Sequence, residues 1–155
     1  MTPAVSKLKK SGIQFTLNEY DHDPGIRGFG QEAAQKLGLP ENQIFKTLVV
    51  DIQGKGLAVA VVPVSEQLDL KAVAKALGGK KASMADKGRV EKNTGYLTGG
   101  VSPIGQKKML PTLIDASAKE FEQIWVSGGR RGLQISLSPS DLAQMTRATF
   151  YSLSR

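Results

Sequence analysis

The 155-residue sequence contains no cysteine and only one histidine, His22. Without cysteine, the protein itself can supply no disulfide, no thiolate metal ligand and no cysteine nucleophile. A single histidine also rules out a histidine-rich metal centre. We therefore expect a protein that works without a metal ion and without a cofactor.

Long hydrophobic runs are missing as well. No stretch approaches the ~18 apolar residues that a membrane-spanning helix needs. Met1-Thr2-Pro3 leads directly into a polar amphipathic segment rather than a secretory signal. We expect a cytoplasmic protein with no membrane contact. Aromatic residues make up only 6% of the chain, which is few for a surface that stacks the bases of a single strand.

Basic residues dominate the charge of the chain. The 21 lysines and arginines outnumber the 14 acidic residues, and the formal net charge is +7. This balance favours a polyanionic partner such as RNA, bound through its phosphates more than through its base edges. A basic protein without such a partner would show the same balance, so charge alone leaves both alternatives open.

The pattern of apolar residues predicts a single domain, residues 1–155, of mixed α/β (α+β) class. Segments 44–52 and 57–64 are apolar on both faces, which is typical of central strands, and Gln53-Gly54-Lys55-Gly56 joins them as a hairpin. Further strands are predicted at residues 13–20, 80–83, 112–116, 123–127, 133–137 and 149–153. Helices are predicted at residues 3–11, 31–37, 69–77 and 85–93, and from residue 138 onward. Thr2 and Asp69 are the expected N-caps of the first and third helices, and Gly12 is expected to close the first. We expect a mixed, partly closed, barrel-like β-sheet flanked by helices.

Residues 95–108 form the most distinctive stretch, with four glycines, a proline and two small hydroxyl residues. Glycine lets backbone N–H groups approach a ligand closely, and successive N–H groups can form a cradle for an oxyanion or a phosphate. The stretch is not a P-loop, because no Gly-x-x-x-x-Gly-Lys-Ser/Thr follows a strand. An ordinary surface turn is the alternative.

Within this stretch, Gly99-Gly100-Val101-Ser102-Pro103 reads as Gly-x-x-x-Pro and resembles the loop of the bacterial YbaK-type Cys-tRNA(Pro) deacylases. These are free-standing relatives of the editing domain inserted in prolyl-tRNA synthetases. Five more blocks resemble this family, in its order and over essentially the whole chain: Tyr20-Asp21-His22-Asp23-Pro24, Phe45-Lys46-Thr47-Leu48, Met84-Ala85-Asp86, Gly105-Gln106-Lys107-Lys108 and Val126-Ser127-Gly128-Gly129-Arg130-Arg131-Gly132-Leu133.

The resemblance implies the fold of that editing domain and a trans-editing hydrolase. Its substrate would be mischarged Cys-tRNA(Pro), with Cys-tRNA(Cys) as a further substrate, and the aminoacyl ester would be the bond that is cleaved. The 3′ acceptor end of an aminoacyl-tRNA is then the partner, and prolyl-tRNA synthetase is a candidate second partner.

Lys46 is the most informative single residue. It shares strand parity with Leu48, Val50 and Ile52, so its side chain leaves the same face as apolar residues. Its stem can simply lie along that surface with the ammonium in solvent. By resemblance, Lys46 matches the functional lysine of the family. It would contact the terminal phosphate of the tRNA or the ester, and Gly99 and Gly100 would share the catalytic role.

Other residues acquire a substrate-binding role through the resemblance. Phe29 would stack on the terminal adenine and Tyr20 would wall the aminoacyl pocket, although ordinary packing explains both equally well. Arg130 and Arg131 can offer charged donors to phosphate, as can Lys107 and Lys108, or they can form a solvated basic turn. The remaining substrate-binding candidates are Thr47, Ser102, Pro103, Ser127 and Gln134. Some relatives have an acidic residue where this chain has Gln134, which weakens any requirement for a carboxylate there.

No protein nucleophile is apparent. His22 lies between Asp21 and Asp23, which suggests a Ser-His-Asp triad, but no Gly-x-Ser-x-Gly elbow is present and a structural histidine is favoured. By resemblance, the substrate's own thiol attacks its carbonyl, or a positioned water does so. A thiol ionises more readily than a hydroxyl, which would favour cysteine over serine. The competing hypotheses are a non-catalytic RNA or nucleotide-phosphate binding module and an adaptor for prolyl-tRNA synthetase, the latter compatible with catalysis.

Overall fold

The computed structural model describes the whole chain, from Met1 to Arg155, as five α-helices, one short 3-10 helix and eight strands. The helices are α1 (Pro3–Ser11), α2 (Phe29–Leu37), α3 (Leu70–Ala76), α4 (Lys87–Thr94) and α5 (Pro139–Thr146), with the 3-10 helix at Ala116–Glu120. The strands are β1 (Thr16–Glu19), β2 (Phe45–Ile52), β3 (Gly56–Pro63), β4 (Ala82–Met84), β5 (Thr112–Asp115), β6 (Ile124–Ser127), β7 (Leu133–Leu137) and β8 (Thr149–Tyr151).

The strands form two sheets. The larger sheet has the order β4-β2-β3-β5-β8, in which β2 pairs antiparallel with β3 and β4, whereas β3–β5 and β5–β8 are parallel. The smaller sheet, β1-β7-β6, is antiparallel throughout. The predicted mixed α/β fold is therefore confirmed, with the β2–β3 hairpin in the middle of the larger sheet as expected.

The two sheets meet along one edge only. A single parallel bridge pairs Ile44, just before β2, with Trp125 of β6, and the Trp125 N–H donates to the Gln43 carbonyl at 3.1 Å. The indole N–H of Trp125 also donates to Asn18 Oδ1 of β1 at 3.1 Å. The barrel is thus only partly closed, and the sheets part beyond this junction.

Both faces of the β2–β3 hairpin are buried, because alternate side chains of a strand point to opposite faces. Phe45 and Val49 pack with α1, α5 and the smaller sheet. Val50 and Ile52 pack on the other side with α3 and Leu153 near the C-terminus. Full burial of each such aliphatic side chain contributes roughly 1.5–3 kcal/mol, so this hairpin supports most of the core.

Helix α2 begins at Phe29, two residues earlier than the sequence predicts. Gly28 and Gly30 read as a loop because glycine disfavours helix interiors. The structure explains Gly30: a Cβ there would lie 2.4 Å from Val64 Cγ2, so α2 can pack this closely on the end of the hairpin only with glycine. The early start brings the Phe29 ring to the edge of the sheets.

Asp115, at the end of β5, ties the C-terminal segment to the larger sheet. Its buried carboxylate accepts hydrogen bonds from the backbone N–H groups of Leu153 and Ser154 at 2.8 and 3.1 Å. It also accepts from the N–H and the hydroxyl of Ser117 at 3.2 and 2.5 Å. Burial would raise the pKa of Asp115, but these four hydrogen bonds outweigh burial and hold the pKa below its ordinary value.

We predict that Asp115→Asn lowers the free energy of unfolding by about 1–3 kcal/mol, because the weaker amide acceptor leaves buried N–H donors poorly satisfied. Urea unfolding followed by circular dichroism measures the change. Glu122→Gln is the matched control, since Glu122 is exposed and its carboxylate makes no hydrogen bond. Equal stability of the two variants would contradict the anchoring role of Asp115.

Candidate functional site

A cavity of about 490 Å³ opens where the two sheets part. Its inner wall comes from β2, from Ser127 at the end of β6 and from Gln134 in β7. Its mouth comes from the loop before α2, the start of α4, the glycine turn at Thr98 and Gly99, and the Arg130-Arg131 turn. The volume lies within the range of small-molecule binding sites.

All charged side chains that line the cavity are cationic. There are five of them, Arg27, Lys46, Lys87, Arg130 and Arg131, and no aspartate or glutamate contributes to the lining. Low-dielectric walls concentrate the field of such charges. The cavity therefore favours an anion, and it offers neither a carboxylate nor an imidazole as a general base.

Lys46 lies on β2 within this wall, half-buried. Burial lowers the pKa of the Lys46 ammonium, and no carboxylate lies close enough to counter the shift. An ammonium that has lost water and gained no ion pair binds an anion strongly, because much of its desolvation cost is already spent.

Phe29 and Arg131 form one side of the mouth. The Arg131 guanidinium carbon lies 4.4 Å from the Phe29 ring centroid, a cation–π contact, and Arg131 also donates to the Thr98 carbonyl at 3.1 Å. Gly99 fits beneath this pair with φ +93°, and a Cβ there would lie 2.6 Å from Arg131 Nε and 2.8 Å from Phe29 Cε2. Any side chain at position 99 would therefore disturb both residues.

The glycine turn offers fewer free backbone donors than the sequence suggests. The Gly100 N–H donates to the Leu97 carbonyl at 2.9 Å, and Gly100 packs against the Arg130 backbone without lining the cavity. Gly99 and Val101 do line the cavity, and their N–H groups have no acceptor within the protein. Gly100 is therefore not a free donor, and its neighbours on either side are.

Ser102 and Pro103 also lie away from the cavity, contrary to expectation. Ser102 is fully buried and its hydroxyl accepts from the Ile104 N–H at 3.2 Å, while Pro103 lines a separate small depression. Below them, the buried Tyr96 hydroxyl donates to the Ile104 carbonyl at 2.5 Å, and burial raises the pKa of Tyr96 to about 12. These residues support the glycine turn from behind.

Nine of the twelve predicted site residues do line the cavity. They are Tyr20, Phe29, Lys46, Thr47, Gly99, Ser127, Arg130, Arg131 and Gln134. Burial raises the pKa of the Tyr20 phenol, and Gln134 is buried in the inner wall. The Ser127 hydroxyl accepts from the Gly129 N–H at 3.1 Å, which shapes the turn before Arg130. Lys107 and Lys108 do not reach the cavity.

Arg27 and Lys87 line the mouth, although the sequence did not single them out. Arg27 lies in the same loop as His22, and Lys87 follows Asp86, the N-cap of α4. Basic residues in such positions are common on any surface, so only the fold separates them from the other lysines and arginines of the chain.

His22 and Glu32 anchor the loop at the mouth. His22 Nδ1 lies 2.6 Å from Glu32 Oε1, the Asp23 N–H donates to Glu32 Oε2 at 2.9 Å, and Lys36 Nζ lies 3.2 Å from the same oxygen. Burial would raise the pKa of Glu32, but these contacts outweigh burial and lower it to about 2. The His22 ring also packs against Phe29 at 5.7 Å between centroids. His22 thus has a structural role, as favoured from the sequence.

The chain matches the family model of the aminoacyl-tRNA editing domain over residues 23–145, and it belongs to this family. The match contains almost every residue of the cavity wall, including the loop before α2, the glycine turn and the Arg130-Arg131 turn.

Individual relatives agree with this assignment. EbsC of Enterococcus faecalis, named as a candidate Cys-tRNA(Pro)/Cys-tRNA(Cys) deacylase, is 43% identical over 120 residues, which cover 77% of this chain and 73% of that protein. ProXp-y of Escherichia coli, named a multifunctional Ser/Thr-tRNA deacylase, is 25% identical over 92% of this chain and 86% of that protein. A solved structure described as a candidate trans-editing enzyme for prolyl-tRNA synthetase superposes with a TM-score of 0.87 at 27% identity, covering 99% of this chain and 95% of that one.

No group of three histidine, cysteine, aspartate or glutamate side chains is arranged to hold a metal ion. None of the helices combines the length and the apolar character needed to cross a bilayer.

We predict that Glu32 makes the protein sensitive to acid. The Glu32 pKa is about 2 in the folded state against an ordinary 4.5, so its ionisation stabilises the fold above pH 4.5 and this stabilisation is lost as the pH falls toward 2. Between about pH 5 and pH 2 the unfolding free energy should therefore fall by roughly 1–3 kcal/mol more in the wild type than in Glu32→Gln.

Chemical denaturation across this pH range measures the difference. Glu41→Gln is the control, because Glu41 is exposed and its carboxylate makes no hydrogen bond. Parallel pH dependences for the wild type and Glu32→Gln would show that Glu32 is not held in its ionised form by the fold.

Proposed function

We propose that this protein is a trans-editing deacylase that cleaves the aminoacyl ester of mischarged Cys-tRNA(Pro), with Cys-tRNA(Cys) as a further substrate. The observation that carries the proposal is the cavity itself, whose charged lining is entirely cationic and which lacks any cysteine, histidine or carboxylate. Membership of the editing family supports the proposal, as does the likeness to EbsC. An aminoacyl-tRNA substrate implies work in the cytoplasm, where tRNA is charged.

The cations at the mouth suit the 3′-terminal phosphates of a tRNA. Arg131 can present donors to a phosphate, as can Arg130, whose guanidinium also pairs with the exposed Glu19 at 3.3 Å, and Lys87 and Arg27 add charge at the mouth. Phe29 would stack on the terminal adenine, since every base presents a π-face to an aromatic ring. Tyr20, Thr47, Ser127 and Gln134 would then surround the aminoacyl group at the inner wall.

Two groups are available to polarise the ester carbonyl. In this proposal Lys46 contacts the ester or the adjacent phosphate, and the free N–H groups of Gly99 and Val101 donate to the carbonyl oxygen as negative charge develops on it. Removal of one such donor costs 10²–10³-fold in turnover in well-studied hydrolases. The proposed oxyanion donors therefore flank Gly100 and do not include it.

The nucleophile in this proposal comes from the substrate or from water. The cysteinyl thiolate attacks its own ester carbonyl carbon, a C–S bond forms, and the bond between that carbon and the ribose oxygen breaks. The ribose oxygen takes a proton and leaves as free tRNA, and the resulting thiolactone is hydrolysed. The thiol loses its proton to water, which its ordinary pKa of about 8.5 allows near neutral pH, so the cavity needs no base of its own. The thiolactone is a strained four-membered ring, so the attack depends on the cavity holding the thiolate against the carbonyl carbon. A water held against the carbonyl is the alternative nucleophile.

Turnover separates the deacylase from a non-catalytic binder, because a binder would protect the ester of Cys-tRNA(Pro) and a deacylase would hydrolyse it. We expect Lys46→Ala to lose roughly 10- to 100-fold in kcat/KM, the equivalent of one charge-assisted hydrogen bond. Lys55→Ala is the matched control, since Lys55 lies exposed at the far end of the same hairpin and its loss changes the net charge equally.

Release of radiolabelled cysteine from the tRNA gives the rates, and thermal unfolding checks that both variants fold. Protection of the ester by the wild type would favour the binding module. Equal activity of Lys46→Ala and Lys55→Ala would remove Lys46 from the site.

If prolyl-tRNA synthetase is a partner, as the description of the solved relative suggests, its addition should lower the KM for Cys-tRNA(Pro).

The thiol of the substrate can be tested directly. Cys-tRNA(Pro) should be cleaved more than about 200-fold faster than Ser- or Ala-tRNA(Pro), because a size difference this small accounts for only 10–200-fold. S-methylcysteinyl-tRNA(Pro) should bind but resist cleavage. Hydrolysis of the S-methyl compound at the cysteinyl rate would show that the thiol is a bystander and would favour the positioned water.

A further inference from the structure

Two polar side chains in the inner wall of the cavity lack hydrogen-bond partners. Gln134 in β7 is only 7% exposed, Thr47 in β2 is partly buried, and Gln134 Oε1 and Thr47 Oγ1 are both buried atoms without a partner in the protein. Such orphaned atoms are rare in folded proteins, because each costs about 1–3 kcal/mol. Two of them in the wall of one cavity indicate a ligand group that supplies the missing hydrogen bonds.

The missing partner must be a hydrogen-bond donor. The amide oxygen of Gln134 can only accept, whereas the Thr47 hydroxyl can accept or donate. An aminoacyl-adenosine 5′-phosphate has two main acceptors. Its phosphate suits the cations at the mouth, and its ester carbonyl suits the free N–H groups of Gly99 and Val101. Its donors are the α-amino group, the side-chain thiol, the ribose hydroxyl and the adenine amino group.

Position in the cavity selects among these donors. Gln134 and Thr47 lie in the inner wall, whereas the Arg130 side chain at the mouth is 51% exposed. The bulky adenosine and the charged phosphate fit the mouth, so the small aminoacyl group is the part that reaches the inner wall. Within it the α-amino group is the stronger donor, because a thiol donates only weakly.

The charges around the inner wall determine the form of this amine. The ionisable groups that line the cavity are Tyr20 beside β1, Arg27 on the loop before α2, Lys46 on β2, Lys87 on α4, and Arg130 and Arg131 on the turn before β7. Two carboxylates lie nearby, and both already have partners. Glu32 on α2 contacts His22, Lys36 and the Asp23 N–H, and Glu19 on β1 pairs with Arg130 at 3.3 Å. In its charged form the α-amino group of the substrate would be repelled by the five cationic side chains of the cavity. In its uncharged form it avoids this repulsion and still has N–H groups that can donate hydrogen bonds.

We propose that Gln134 and Thr47 form the binding site for the α-amino group of the substrate and accept it in its uncharged form, an inference that rests on the deacylase function proposed above. An ordinary α-amino group has a pKa of about 7.7–8.0, so the uncharged form is available near neutral pH. The glutamine at position 134 determines which form of the amine binds, because a glutamate or aspartate there would pair with the charged ammonium instead.

The test compares two hydrolysis-resistant ligands that differ only in the amine. One is 3′-alanylamino-3′-deoxyadenosine 5′-phosphate, which has an α-amine but no thiol, and the other is its 3′-propionylamino counterpart, which has neither. Titration calorimetry gives both dissociation constants at about pH 9 and about pH 6. The ratio of the two constants isolates the amine, because titration of the phosphate or of Lys46 affects both ligands alike.

In the wild type we expect the alanyl ligand to bind about tenfold more tightly than the propionyl ligand at high pH, the equivalent of a good hydrogen bond. At low pH, where the amine is protonated, the two should differ by less than about twofold. Gln134→Leu should abolish the preference at high pH and Thr47→Val should reduce it. Gln134→Glu should create a preference at low pH, because its carboxylate pairs with the ammonium.

Gln123→Leu makes the same change at an exposed position outside the cavity and should behave as the wild type. Thermal unfolding shows that each variant is folded. The proposal is overturned if Gln134→Leu keeps the preference, if the wild type has none at high pH, or if the wild type prefers the amine equally at low pH. Failure of both ligands to bind at millimolar concentration would instead overturn the deacylase function and this site with it.

Discussion

The junction between the two sheets is the constraint on which the site depends. One parallel bridge between Ile44 and Trp125, supported by hydrogen bonds between Gln43 and the segment at Gln123 and Trp125, is the only place where the strands of the two sheets pair. A small barrel closed all the way round fills its interior with side chains. Here the strands of the two sheets separate immediately after the bridge, and a cavity opens between them. Three consecutive residues of β2 therefore serve two purposes, because Phe45 packs in the core and Lys46 and Thr47 line the cavity.

The cavity has costs that the rest of the fold offsets. Lys46 is half-buried without a counter-ion, and Gln134 and Thr47 leave polar atoms unsatisfied. Features of this kind cost about 1–3 kcal/mol each and concentrate where a protein binds or acts on a ligand. The doubly covered hairpin β2–β3 stabilises the domain enough to tolerate them, and a bound substrate would satisfy several at once.

Local patterns predicted most of the fold and part of the site. The hairpin, the N-caps at Thr2 and Asp69 and the glycine at the end of α1 depend on residues close in sequence, and the structure confirms them. The start of α2 differs from the prediction, because the glycine at position 30 is required by its contact with Val64, a residue far along the chain. The occupied N–H of Gly100, the burial of Ser102 and the position of Lys87 at the mouth likewise depend on tertiary contacts that no local pattern contains.

The strand order also bears on how the protein is made. β1 pairs with β7, and Thr16 is opposite Ser136. The strands of the parallel pair β3–β5 are separated in the sequence by α3, β4, α4 and the glycine turn. Pairings this distant in sequence slow folding, because chain closure must precede the contacts that stabilise it. The inner wall requires β7 and the Arg130-Arg131 turn, so a nascent chain lacking its last quarter has no complete pocket. Synthesis therefore yields a complete pocket only when the chain is almost finished.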